Sequence, residues 1–187
     1  MAKHGTFMGI PKTEWLVNEL GKDREMRLID DFAFTDPNGR VWAAPASSII
    51  DGASIPRELW AVVGSPYTDD YRRATIVHDI ACNTPGVSRK EADVMFFHAC
   101  RAGGCGSIQA FVLYAGVRIG ALSSADLPAR VLSKEYTLFR TRLDVPLPGE
   151  TLLQGKLADI AHSMRDLPDE PTIEQLDAAI EEHIKMR

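Results

Sequence analysis

The sequence predicts an α+β fold: a small N-terminal antiparallel sheet packed on a mainly helical core, with a helical C-terminal extension. Three observations predict it. Asp36-Pro37-Asn38-Gly39 is a hairpin signal between apolar runs, because Pro presets φ and Asn-Gly tolerates positive φ. Ser88-Arg89-Lys90-Glu91 is a capping box followed by Ala92, Met95, Phe96, Ala99 and Cys100 at helical spacing. Ser107 to about Leu122 is a long run that is apolar on most sides, the mark of a central core helix.

In chain order, residues 1–12 read as a polar, glycine-containing arm, and residues 13–50 as the sheet. Trp15-Leu16-Val17 opens it, and Gly21-Lys22-Asp23 is a turn. Met26 and Leu28 share a face with Phe32 and Phe34 if a bulge intervenes. Val41-Trp42-Ala43-Ala44 is the return strand, and Asp51-Gly52 breaks the pattern. Pro56 fits the first turn of a short helix, since its missing N–H would be unpaired there anyway. Asp69 or Asp70 caps the next helix, over about 70–83, which ends at Asn83-Thr84-Pro85-Gly86. The core reads as 13–122, and a helical extension as 123–187. Within the extension lies a linker-like run from Asp144 to Gly149. Two further capping boxes, Thr151…Gln154 and Thr172…Gln175, each precede an amphipathic run.

Bulk properties narrow the function classes. The chain has 187 residues, 45% hydrophobic and 25% charged, enough apolar material for a core without disulfides or a structural metal. A net charge of −5 argues against a nucleic-acid partner, which usually selects a basic surface. Cys82, Cys100 and Cys105 make no even framework and no C-x-x-C pair, so they read as reduced thiols of a cytoplasmic protein. No signal peptide and no transmembrane segment is expected from this sequence. Action outside the cell, or association with a virion, would need other export machinery.

Polar residues with chemistry cluster between Asp51 and Asp93. His78-Asp79 lies on one helix and Asp93 on the next, and a short loop at 84–87 makes the two antiparallel neighbours. His78 and Asp93 are then about equally far from the loop, so they stand at similar heights. A carboxylate on one imidazole nitrogen fixes the tautomer and leaves the other nitrogen as a general base. Asp79 and Asp51 are spare carboxylates that suit a divalent cation, Ca2+ or Mg2+, with Zn2+ less favoured. His78 with Asp79, Asp51 or Asp93 is an alternative transition-metal set. Ser54 reads as a helix cap, with a nucleophile as the sharper alternative; the G-x-S-x-G elbow is absent. Arg72 is a solvated residue or a partner for Asp51 or a phosphate. His98 points away from Asp93 on its helix and reads as structural. No glycine-rich phosphate loop, H-E-x-x-H or zinc cysteine pattern is present.

Several of these elements resemble the DUF1353 family. They are Phe32-Ala33-Phe34, Val41-x-x-Pro45, Asp51-Gly52-Ala53-Ser54-Ile55-Pro56-Arg57-x-x-Trp60, Tyr71-Arg72-Arg73-Ala74-x-x-x-His78-Asp79, Arg89-Lys90-Glu91-Ala92-Asp93-x-x-Phe96 and Tyr114-x-x-Val117-Arg118. The resemblance covers about residues 25–121 and implies a phage, prophage or bacterial context. Where that family often has an aromatic after the His-Asp pair, this chain has Ile80-Ala81-Cys82. The site alone is also similar to secreted phospholipases A2, which carry a His-Asp pair on one helix and a second Asp on its antiparallel neighbour. That similarity implies His78 as base, Asp93 as its orienter and Asp79 at a cation. The chain departs from it in lacking a disulfide framework and a glycine-rich calcium loop.

The expectation is a metal-dependent hydrolase of an ester or phosphodiester, with lipids among the candidate substrates. The alternative is a non-enzymatic phage-related assembly protein that docks a partner through its C-terminal helices.

Overall fold

The computed structural model describes residues 2–17, 25–50, 70–126 and 148–185. It is an α+β fold. Six strands precede the helices: β1 (Thr6–Met8), β2 (Thr13–Leu16), β3 (Glu25–Leu28), β4 (Phe32–Thr35), β5 (Val41–Ala44) and β6 (Ile49–Ile50). Helices α1 (Arg72–Cys82), α2 (Arg89–Gly103), α3 (Ser107–Asp126), α4 (Pro148–Ser163) and α5 (Ile173–Lys185) follow, with a 3-10 turn at Met164–Asp166. Asp51, Ser54, Trp60, the helix expected from Pro56, the Asp69 cap, the Gly21 turn and most of the linker lie outside the described residues.

The expected single sheet is two three-stranded antiparallel sheets, β1-β4-β5 and β2-β3-β6. No bulge joins Leu28 to Phe32. The chain changes sheets across exposed Ile29, Asp30 and Asp31, where the Ile29 N–H donates to Lys12 O and Asp31 Oδ1 accepts from the Ala46 N–H. Each sheet keeps its own period of two, which satisfies the alternation without a bulge. The N-terminal arm also enters the fold, since β1 pairs with β4 through Phe7 and Phe34. Gly5 makes that approach possible. It has φ +91°, and a Cβ there would collide with the Thr35 carbonyl oxygen.

The hairpin forms as expected, and Asp36 organises it. Its Oδ1 accepts from the N–H groups of Asn38 and Arg40, and its Oδ2 from Trp42 Nε1 at 3.0 Å. Arg40 lies 3.9 Å from the centre of the Trp42 ring and donates to Glu91 Oε1 at 3.0 Å. That contact ties the hairpin to the first turn of α2.

Tyr71, not Asp70, is the N-cap of α1, and its side chain makes no capping bond. The Tyr71 ring is buried and anchors the helix by packing instead. The capping box at α2 is complete: Ser88 Oγ accepts from the Glu91 N–H, and Glu91 Oε2 accepts from the Ser88 N–H. Ser88 and Arg40 together draw the Glu91 carboxyl down to about 2. Ser88→Ala is expected to cost about 1 kcal/mol. Urea unfolding at neutral pH checks this; an unchanged midpoint would show the box to be redundant.

Helix α3 is the core helix. Ala110, Leu113, Tyr114, Ala115 and Val117 are fully buried. It runs to Asp126, across the 122/123 boundary expected from sequence, and α4 and α5 pack against it. Leu157, Ile160, Met164, Leu176 and Ile180 join the same apolar cluster as the sheets and α1–α3. The Thr172–Gln175 box caps α5 as expected. The Thr151 box does not start α4, which begins at Pro148, the residue type best suited to a first turn. Among the described residues no helix is long and apolar enough to cross a membrane.

Candidate functional site

Helices α1 and α2 bring His78 and Asp93 together. His78 stands four residues before the end of α1 at Cys82, and Asp93 four residues after the start of α2 at Arg89. Across the short connection these positions face each other, and His78 Nε2 lies 2.8 Å from Asp93 Oδ1. Both side chains are fully buried. The Phe96 ring covers the imidazole, with ring centres 4.7 Å apart.

Asp93 has two more donors. Arg89 Nε reaches Oδ1 at 3.3 Å, and Arg118 Nη1 of α3 reaches Oδ2 at 3.3 Å. Asp93 accepts from three donors, so Nε2 is the imidazole nitrogen that donates its proton and Nδ1 keeps the lone pair. Burial pushes the His78 pKa below the usual imidazole range, and the bond to Asp93 only partly opposes it. The ring is therefore neutral at pH 7, with its basic nitrogen intact.

Cys82, one turn along α1, adds a thiol that the sequence reading left unassigned. Its Sγ is 3.5 Å from Nε2 and 3.8 Å from Nδ1. The sulfur is nearer to Nε2, the nitrogen bonded to Asp93, than to Nδ1, the nitrogen that would act as a base. Cys82 is therefore not set up as a nucleophile activated by His78.

The other sequence candidates separate. Asp79 is buried beside His78, and its main-chain oxygen accepts from Asn83 Nδ2. Among the described residues, the donors close enough to share one ion are His78, Cys82 and Asp93, whose ligand atoms lie within 4.8 Å of one another. Asp79 is not among them. A dication on Asp93 would also compete with two guanidiniums for one carboxylate. Arg72 is exposed at the first residue of α1, about 9 Å along the axis from His78. The structure does not bring it to the imidazole.

Beyond Asp93 the polar chain continues to the C-terminal helix. Arg118 Nε lies 3.7 Å from Asp177 Oδ1 of α5. Tyr114 donates its hydroxyl to the same oxygen at 2.7 Å, and Lys90 Nζ lies 2.6 Å from Oδ2. Burial and the Asp177 carboxylate raise the Tyr114 pKa. Burial acts to raise Asp177 too, but Lys90 and Tyr114 outweigh it and hold its pKa below the usual range. Sequence reasoning quoted Tyr114 and Arg118 without a role and missed Asp177 altogether. The available signal was a helical one: Tyr114 and Arg118 are four apart on an otherwise apolar helix, where an unpaired Arg would be costly.

Two curated proteins of Sinorhizobium fredii are similar. "Uncharacterized protein y4jT" is 36% identical over 110 residues, covering 59% of this chain and 32% of its own length. "Uncharacterized protein y4iH" is 35% identical over 150 residues, covering 78% of this chain and 63% of its own length. The chain thus spans about a third of the first relative and under two thirds of the second. No solved structure matches significantly, and the phospholipase comparison finds no support there. Residues 26–117, which supply both helices of the His78–Asp93 pair, match the family model described as "Protein of unknown function (DUF1353)".

Proposed function

We propose that the protein is a hydrolase of an ester or phosphodiester, with His78 as general base and Asp93 as the group that orients it. The observation carrying this reading is the 2.8 Å bond from His78 Nε2 to Asp93 Oδ1. It fixes the tautomer in which Nδ1 can take a proton from water. The low pKa keeps that nitrogen unprotonated near neutrality. Asp93 is pinned by Arg89 and Arg118, so the imidazole has one orientation. Secreted phospholipases A2 use a similar His-Asp arrangement, which is why lipid esters belong in the substrate panel. A divalent cation, Ca2+ or Mg2+, would be held by Asp79 with Asp51, because the Asp93 carboxylate is already shared by two arginines.

The test is turnover of a nitrophenyl ester, bis(p-nitrophenyl) phosphate and phospholipid vesicles, with and without Ca2+ or Mg2+. His78→Gln is expected to lower turnover by about 100-fold or more. Unchanged turnover in a folded His78→Gln protein removes the base from the mechanism.

A second reading is favoured by the full burial of both His78 and Asp93 and by the polar chain that runs from them to α5. In it the cluster fixes the packing of α1, α2, α3 and α5 in a non-enzymatic assembly protein, phage-related or bacterial. Its expected result is no turnover on any substrate, with a large loss of stability in the same His78→Gln protein.

A further inference from the structure

The end of α2 sets two of the three cysteines against each other. Gly104, at φ +113°, stops the helix in the left-handed conformation. Its N–H donates to Arg101 O at 3.3 Å, and the Cys105 N–H donates to Cys100 O at 3.1 Å. These two bonds define a Schellman ending, which folds the side chain just past the glycine onto the one four residues before it. An apolar pair usually fills those two positions; in this chain both are cysteine. The two thiols are buried in the core and hydrogen-bonded to each other. With standard bond lengths, the 3.1 Å main-chain contact holds the Cα atoms of Cys100 and Cys105 within about 7 Å, inside the reach of a disulfide. Cys82 stands at the opposite end of the α1–α2 pair, against His78.

We propose that Cys100 and Cys105 are a disulfide site: the chain, folding in contact with a small disulfide such as oxidised glutathione, joins them and so clamps the end of α2. The exchange belongs to the folding chain. Burial pushes the Cys100 thiol well up once the fold is complete, whereas the unfolded chain offers thiolates of ordinary reactivity. The Cys105 thiolate attacks one sulfur of oxidised glutathione, forming a mixed disulfide and releasing one glutathione. The Cys100 thiolate then attacks the Cys105 sulfur and releases the second. The protein gives up two electrons and two protons, and one glutathione disulfide becomes two glutathione thiols. Closing the Schellman turn buries the finished bond away from other thiols. The clamped turn is also a junction. Arg101 Nη1 donates to Cys105 O at 2.9 Å, and Arg73 Nη2 of α1 donates to Gly103 O at 3.4 Å. A Cβ at Gly103 would lie 2.9 Å from Asp70 O and 3.8 Å from the Phe7 ring, so the end of α2, the approach to α1 and β1 meet there. The bond therefore fixes the point at which three elements join.

The experiment unfolds the whole protein in denaturant, refolds it in a mixture of reduced and oxidised glutathione, and blocks the remaining thiols by alkylation. Trypsin cuts after Lys90, Arg101 and Arg118, so peptides 91–101 and 102–118 stay together only through a bridge. The expected result is that they are joined in most of the refolded protein, at a mass lower by two hydrogen atoms, with Cys82 alkylated. The bridged protein should keep the circular dichroism of the reduced form and melt a few degrees above it. Cys82→Ser should bridge as the wild type does, and Cys105→Ala should leave the two peptides separate. The proposal is overturned if the peptides separate after refolding of the wild type, or if Cys82 becomes the partner of either cysteine. It is equally overturned if the bridged protein loses the native spectrum or melts at or below the reduced one, because the bond would then oppose the fold.

Discussion

Replacing Asp93 with alanine is expected to lower the unfolding free energy by about 3–5 kcal/mol, the largest effect of any single polar substitution in the described structure. The size comes from what is left behind rather than from what is removed. Asp93 is fully buried and accepts from His78, Arg89 and Arg118. Without it, the Arg118 guanidinium, itself 13% exposed, faces the His78 N–H with the intervening charge gone. Arg89 is 34% exposed and can turn to water, so its share of the loss is small. For a chain of this length the melting temperature should fall on the order of 10 °C. Asp93→Asn keeps the shape and one acceptor and should cost less. A double-mutant cycle with Arg118→Met measures the coupling directly. Additive losses, or a melting temperature within about 2 °C of wild type, would show that Asp93 is not the keystone of the cluster.

Asp177→Asn is expected to cost about 1–3 kcal/mol at pH 7, and the cost should vanish in acid. Asp177 accepts from buried Tyr114 and pairs with Lys90 and Arg118. Its folded pKa lies below the ordinary aspartate value. The stability it contributes is thus fully present above about pH 4 and is lost as pH falls through the lower, folded value. Wild type and variant should converge there. His78 acts at higher pH. Its folded pKa lies below 6.5, so on acidification the unfolded chain gains a proton before the folded one does. Stability therefore declines below about pH 6.5 as well, with His4 and His98 acting in the same direction. Denaturant titrations from pH 8 to pH 3 separate the two limbs. A constant difference between wild type and Asp177→Asn across that range would contradict the assignment.

The features that sequence made legible are local ones. Asp36 to Gly39 and Ser88 to Glu91 carry their geometry within four residues, and both formed as read. The pairing of His78 with Asp93 was also legible, because a short loop turns sequence distance into height along two helices. Long-range features were not. β1 has three residues and no buried position of its own, so no periodicity marks it; its place depends on Gly5 meeting Thr35. Asp177 sits on a helix whose exposed face is acidic, and only the arrival of Tyr114 and Arg118 from α3 distinguishes it from Glu174 or Glu181. Cys82 read only as a reduced thiol, because an intrahelical neighbour of His78 becomes informative only once the imidazole's orientation is known.

The position of Arg118 has a consequence for where the molecule can be divided. The stretch that matches the family stops at residue 117, one residue before the arginine that holds Asp93 and partway along α3. The other end also falls short, since β1 lies before residue 26 and completes the sheet that contains β4. In this chain the unit recognised by sequence kinship is thus smaller than the unit that folds. A gene fragment trimmed to residues 26–117 would sever a buried helix, discard the Arg118 charge and bare the apolar flank that Leu157, Ile160 and Leu176 help to cover. The natural module for expression, or for grafting onto another protein, begins before Gly5 and extends through α5.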